Sequence, residues 1–147
     1  MKPDQDISLV PISLGEANEY MAKHIRQYRP APGCKFTVGC ALDGKLVGAA
    51  IVGRCWDDAQ AVQIDRIFST GSRAAYGMLY GACARAAQAL GYWRIAAFLP
   101  EHRPDSALRA AGWRRVEPEN GGKRAAKMLR YERWLMVCRR RKEAINQ

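Results

Sequence analysis

The stretch "IDRIFSTGSRAAYGML", residues 64–79, begins as an extended β-branched and aromatic run, breaks at Thr70-Gly71-Ser72, and resumes as an alanine-rich helix. A strand that hands over to a helix through such a break aims the positive end of a helix dipole outward. The amides of the first turn have no intrahelical acceptors, and the place attracts anions. The residues downstream reinforce the pattern. Met78, Leu79, Ala82, Ala86, Ala89 and Leu90 recur at spacings of three and four, which predicts a helix over 74–90 that Gly91 stops. Trp93 to Leu99 then reads as a buried strand, parallel to the strand over 61–69 through a right-handed crossover.

Upstream, Ser8 to Ile12 is a short apolar strand. Ser13-Leu14-Gly15-Glu16 has the form of a capping box and opens a helix past Ala17, Tyr20, Met21 and Ile25 that ends before Pro30. Lys35 to Leu42 and Leu46 to Gly53 flank Asp43-Gly44, the dipeptide of a two-residue hairpin. Downstream, Pro104 opens a short helix through Ala111, Gly112 ends it, and Trp113 to Val116 begins another strand. The loop Asn120-Gly121-Gly122 leads to a last strand over Met128 to Val137. The order β, α, β, β, β, α, β, α, β, β indicates an α/β chain of the α+β kind, with a mixed sheet and helices on both faces.

Bulk properties agree with one domain. A chain of 147 residues buries roughly 70% of its unfolded surface without disulfides or metal. We expect a single domain over 1–138 and a basic tail over 139–147. No apolar run approaches a membrane span, and Lys2-Pro3-Asp4-Gln5-Asp6 is no signal peptide, so we expect a cytoplasmic protein with no membrane partner. Cys34, Cys40, Cys55, Cys83 and Cys138 read mainly as buried thiols, and His24 and His102 form no zinc spacing, so no metal is expected. Charge is uneven: from Arg103 onward 13 basic residues face 5 acids, net +8, against net +2 before it. That excess suits a polyanion such as nucleic acid or a phosphorylated cofactor, and equally a solubilising tail.

The order of elements, the turn after the fourth strand and the "AAGWRRV" element resemble the GNAT superfamily of acyl-CoA-dependent N-acyltransferases, over nearly the whole chain. The resemblance implies a mostly antiparallel sheet of six to seven strands with a parallel central pair, and acetyl-CoA or another acyl-CoA as donor. It implies that Phe68 and Ser69 bond the pantetheine arm through their main chain. It also implies that the loop and first turn, Gly71, Ser72, Arg73, Ala74, Ala75, Tyr76 and Gly77, hold the pyrophosphate. Arg73 matches the family pattern; Tyr76 and Met78 stand where its two glycines belong, and Leu108 stands where many members carry a tyrosine acid.

Ser106 or Tyr131 is then a candidate to protonate the thiolate. Strand alternation puts Gln63, Asp65 and Ile67 on one face and Ile64, Arg66 and Phe68 on the other, so Asp65 is the first candidate for general base. Its competing role is an ion pair with Arg66 or another arginine. Glu101 is the second candidate and His24 the third. A narrower resemblance, in "EANEYMAKHIRQYRP", "GKLVGAAIVGR" and "SRAAYGMLYGACARAAQALGY", is to small phage and prophage GNAT-like proteins, the group that includes the DNA-adenine-modifying protein Mom. It implies an acceptor cleft at His24, Arg26, Tyr28 and Arg29. Three functions remain open: an amine acyltransferase, a Mom-like DNA-modifying enzyme, and a non-catalytic nucleic-acid-binding module. Trp134 and Met136 are candidates for a homodimer edge.

Overall fold

The computed structural model describes residues 7–70, 73–117 and 128–136. Its elements in chain order are β1 (Ile7–Val10), α1 (Leu14–His24), β2 (Phe36–Leu42), β3 (Lys45–Cys55), β4 (Asp58–Ser69), α2 (Arg73–Ala89), β5 (Arg94–Pro100), α3 (Ser106–Ala110), β6 (Arg114–Val116) and β7 (Met128–Trp134). They build one seven-stranded sheet in the order β1-β2-β3-β4-β5-β7-β6. Every neighbouring pair is antiparallel except β4 and β5. The expected mixed sheet with a central parallel pair is therefore present.

Local chemistry sets the elements. Ser13 caps α1 by accepting from Glu16 N at 3.0 Å while Glu16 Oε1 accepts from Ser13 N at 3.0 Å, the reciprocal pair of a capping box. Asp43 and Gly44 take φ of 52° and 78°, the two left-handed residues of a tight hairpin turn. Gly91 and Gly112 adopt φ of 92° and 89° just past α2 and α3, where a side chain would be strained.

The alternation along β3 divides the core. Ala49 and Ile51 pack with Ala17, Tyr20 and Met21 of α1, whereas Ala50 and Val52 pack with Leu79, Cys83 and Ala87 of α2. The helices thus cover opposite faces. Cys40, Cys55 and Cys83 are buried, as expected; Cys34 is exposed because it lies in the loop before β2. Burial in the apolar layer pushes the Cys83 thiol up to about 12 and the Cys40 thiol up to about 11.

Several boundaries depart from the sequence reading. β1 ends at Val10 and not Ile12, β4 begins at Asp58, three residues early, α3 spans only Ser106–Ala110, and β6 starts at Arg114. Helix α1 stops at His24, because Ile25 is extended and Gln27 is left-handed at φ 58°. β7 ends at Trp134. It lies between β5 and β6, but β6 pairs only with Arg130 to Glu132, and Trp134 and Met136 beyond that ladder are exposed; Trp134 meets Trp93 edge to face at 4.9 Å. The basic tail, Cys138 and the Asn120-Gly121-Gly122 loop lie outside the described residues.

Candidate functional site

Two features of β4 create the site. The first is the end of its pairing with β5: the parallel ladder runs Ala61↔Arg94, Val62↔Ile95, Gln63↔Ala96 and stops, although β4 continues to Ser69 and β5 to Pro100. The strands part there, and the facing edges beyond Gln63 and Ala96 have no ladder. Backbone groups on such edges seek an extended partner. The second feature is a bulge. β3 pairs Ile51 with Arg66 but Val52 with Ile64, which leaves Asp65 as an extra residue.

The bulge corrects the expected faces of β4. Gln63 and Asp65 do share a face, but Arg66 joins them on the α1 side, while Ile67 packs with Ile64 on the α2 side. One inserted residue reverses the alternation for everything beyond it.

On the α1 side these residues line a cavity of about 490 Å³ together with Met21, Tyr28, Arg29 and Phe98. Asp65 Oδ1 accepts from Gln63 Nε2 at 2.9 Å. Its carboxylate lies over Gly53, where a Cβ would come within 2.1 Å of Oδ2. The alternative of an ion pair with Arg66 is not what the geometry shows. The Arg66 guanidinium donates from Nε to the Arg29 carbonyl at 3.1 Å and from Nη1 to the Asp65 carbonyl at 3.0 Å. Among the described residues neither Asp65 nor Arg66 forms a salt bridge.

The wall opposite β4 is the loop after α1, and Asn18 holds it. Its Oδ1 accepts from Tyr28 Oη at 2.7 Å and from Ala31 N at 3.0 Å, and its Nδ2 donates to the Ala31 carbonyl at 3.1 Å. Burial pushes the Tyr28 phenol above its usual range, against the pull of the Arg66 charge. His24 donates from Nδ1 to the Tyr20 carbonyl at 2.9 Å and stacks on Phe68 at 5.8 Å. Arg26 and Arg29 are exposed on the same loop. Neither Asn18 nor Gly53 stood out in the sequence; the signal for Gly53 was a glycine inside a strand, which marks a close approach.

On the α2 side, Ala74, Gly77, Ser106, Ala107, Ala110 and Ala111 line an open groove of about 410 Å³ between α2 and α3. A Cβ on Gly77 would meet no atom within 4 Å. Tyr76 does not enter this groove. It stacks on Tyr80 at 6.4 Å and lines the neighbouring hollow with Arg103 and Leu108. Ser106 touches both hollows. The Ser69 hydroxyl is engaged by the Val47 carbonyl at 3.1 Å. Gly71, Ser72 and the side chain of Arg73 lie outside the described residues.

Tyr131 lies in the core. It is 1% exposed, and its hydroxyl donates to Asp105 Oδ2 at 2.7 Å. It pairs with Ala97 in the α2-side core, on the face opposite Asp65. Burial, with the Asp105 carboxylate beside it, raises the phenol further. Glu101 is exposed in the turn after β5.

A charge cluster closes the other end of the α1 face. Arg94 bridges Asp57, Asp58 and Glu132 at 3.3, 3.5 and 3.0 Å, and Arg130 Nη1 reaches Asp57 at 3.0 Å. Arg130 Nε lies 2.9 Å from Glu132 Oε2 without the alignment of a hydrogen bond. Partial burial pushes the Asp57 carboxyl up, but hydrogen bonds from Arg130 and Cys55 outweigh it and hold the group below its usual range. Glu132 is 5% exposed, so the cluster is a structural clamp between β5, β7 and the β3–β4 turn.

Comparison with known proteins places this architecture. No family model and no curated protein sequence matches the chain. Solved structures do. The ribosomal-protein-S18-alanine N-acetyltransferase of Escherichia coli superposes with a TM-score of 0.63 at 9% identity, over 90% of this chain and 97% of that one. A GNAT-family acetyltransferase of Streptococcus pneumoniae gives 0.63 at 11% identity, over 88% and 99%. A GNAT-superfamily phosphinothricin acetyltransferase of Sinorhizobium meliloti, in complex with acetyl-CoA, gives 0.62 at 14%, over 88% and 89%. The fold is that of the GNAT acetyltransferases.

Proposed function

We propose that the protein is an acyl-CoA-dependent N-acyltransferase acting on an amine. The observation that carries this reading is the parting of β4 and β5 immediately beside the Asp65 bulge. A fold shared with acetyltransferases, one of them holding acetyl-CoA, supports it by analogy. The chain's own features fit the donor. The ladderless edges suit an extended arm, with Phe68 and Ser69 as main-chain partners. The alanine- and glycine-lined groove between α2 and α3 leaves room for a bulky tail, and the start of α2 favours its phosphates.

The donor supplies an acyl group activated as a thioester. Asp65 takes the proton from the attacking amine, directly or through a water, and Gln63 together with the floor at Gly53 fixes its carboxylate. Tyr28 and Phe98 wall the cavity that shields the amine. A thiol of pKa about 8.5 leaves without strong assistance. Ser106 is the hydroxyl placed on the groove, and Tyr131, tied to Asp105, takes no part.

The test is mass-spectrometric detection of N-acetylated products from a panel of amines with acetyl-CoA. Asp65→Asn is expected to lower kcat/KM by about 100-fold, the scale of a lost general base. A nucleic-acid acceptor or a binding-only role is the second reading, favoured by the net charge of +10. It calls for retention of DNA on a filter that falls steeply with salt, or an altered nucleoside in DNA from expressing cells.

A further inference from the structure

Asp65 and Arg66 present opposite charges to one cavity and do not neutralise each other. This arrangement follows from the bulge: without it the two consecutive residues would point to opposite faces. Each is held instead by neutral groups. Asp65 has the Gln63 amide, and Arg66 has the carbonyls of Asp65 and Arg29. Among the described residues no carboxylate reaches Arg66 within salt-bridge distance and no cation reaches Asp65. Both are half-buried, so each keeps only part of its hydration. The contrast lies on the same face: Arg94 and Arg130 are ion-paired with Asp57, Asp58 and Glu132. The rest of the lining is mixed: Met21, Ile25, Phe98 and Met128 give an apolar side, and Gln27, Tyr28 and the exposed Arg29 a polar one.

A carboxylate and a guanidinium fixed side by side, each lacking an ionic partner, match a ligand carrying the reverse pair. We infer that the acceptor is a small zwitterionic amine, an α-amino acid with an apolar side chain, whose ammonium faces Asp65 and whose carboxylate faces Arg66. The apolar walls receive the side chain. The guanidinium binds a carboxylate with a planar set of donors that an ammonium side chain does not reproduce. The inference rests on the transferase reading for its chemistry. The ammonium first gives one proton to Asp65, which passes it to solvent; the free amine nitrogen then bonds to the acyl carbon, the carbon–sulfur bond breaks, and the sulfur leaves as a thiol with the second proton that the nitrogen gives up.

The experiment uses the full chain with L-leucine, L-leucinamide and 3-methylbutylamine as probes. Binding of each is measured by calorimetry, and acetyl transfer from acetyl-CoA by mass spectrometry. Leucine should bind and react at least tenfold better than leucinamide or the decarboxylated amine. Arg66→Gln should bring the ratio of kcat/KM for leucine to that for leucinamide down to about one, and Arg66→Lys should keep part of the preference. A melting curve for each variant separates misfolding from lost recognition. Acetylation of leucinamide or 3-methylbutylamine as fast as leucine overturns the inference and leaves the transferase standing. So does a preference that survives Arg66→Gln. Leucine binding through Arg66 with no affinity for acetyl-CoA supports the acceptor site and overturns the transferase. No leucine binding at ten millimolar, alongside normal acetyl-CoA binding, sinks the acceptor alone.

Discussion

Gly53 and Asp65 sit so close across the β3–β4 ladder that a Cβ on Gly53 would lie 2.1 Å from Asp65 Oδ2. No real Cβ tolerates that distance, so a side chain at 53 must displace the carboxylate. We predict that Gly53→Ala lowers kcat/KM at least tenfold while acetyl-CoA binding stays within twofold, because misplacing a catalytic group by about 1 Å costs that much or more. Steady-state kinetics paired with calorimetry check it. Unchanged kinetics would remove Asp65, in its position over Gly53, from the mechanism.

Asn18 makes three hydrogen bonds to the loop that carries Tyr28 and Ala31. Asn18→Ala leaves the Ala31 amide and carbonyl without those partners. A loss of about 2 kcal/mol in unfolding free energy is expected, read from urea denaturation. The amides of residues 27–31 should also exchange with deuterium faster than in the parent.

The helix groove gives a prediction of opposite sign for stability and binding. Gly77 faces open space, so Gly77→Leu should stabilise α2 by up to about 0.8 kcal/mol through helix propensity. The same side chain fills the groove shared with Ala74 and Ala111, and should weaken acetyl-CoA binding more than tenfold. Thermal melting and calorimetry on one variant test both halves.

Stability should fall at both pH extremes. Burial raises the Cys83 thiol and the Tyr80 phenol, each to about 12, above ordinary values of 9.0 and 10.0. The folded state therefore keeps protons that the unfolded chain releases. Their contribution is complete below pH 9 and is lost as pH rises toward 12. Asp57 and Asp105 behave in reverse: held below their ordinary 3.8, they contribute above that value and lose the contribution as pH falls through the folded values. Asp105 is lowered by its hydrogen bonds from Tyr131 and Arg109. Urea unfolding from pH 2 to 12 should give a plateau between about pH 5 and 9, and Asp57→Asn should flatten the acid limb.

Much of the architecture was legible because it is written in local chemistry. The Ser13 capping box, the Asp43-Gly44 turn and the glycines at 91 and 112 each satisfy a backbone need within a few residues. The site was legible only in part. Strict alternation along β4 singles out Asp65 as a candidate but puts Arg66 on the wrong face, because a bulge depends on the register with β3 and leaves no mark within β4 itself. Tyr131 was a candidate acid on residue type alone, whereas its burial against Asp105 depends on how β7 inserts between β5 and β6. Asn18 was invisible, since its partners lie 10 and 13 residues away across a loop whose path no local rule determines.

The proposed chemistry depends throughout on the cleft between β4 and β5 accepting an acyl-CoA arm. Isothermal titration of the full-length protein with acetyl-CoA is the direct measurement. Saturable binding is expected, weakened by Gly77→Leu and left intact by Gly53→Ala. An absence of heat at millimolar ligand, with the protein folded, would contradict the transferase.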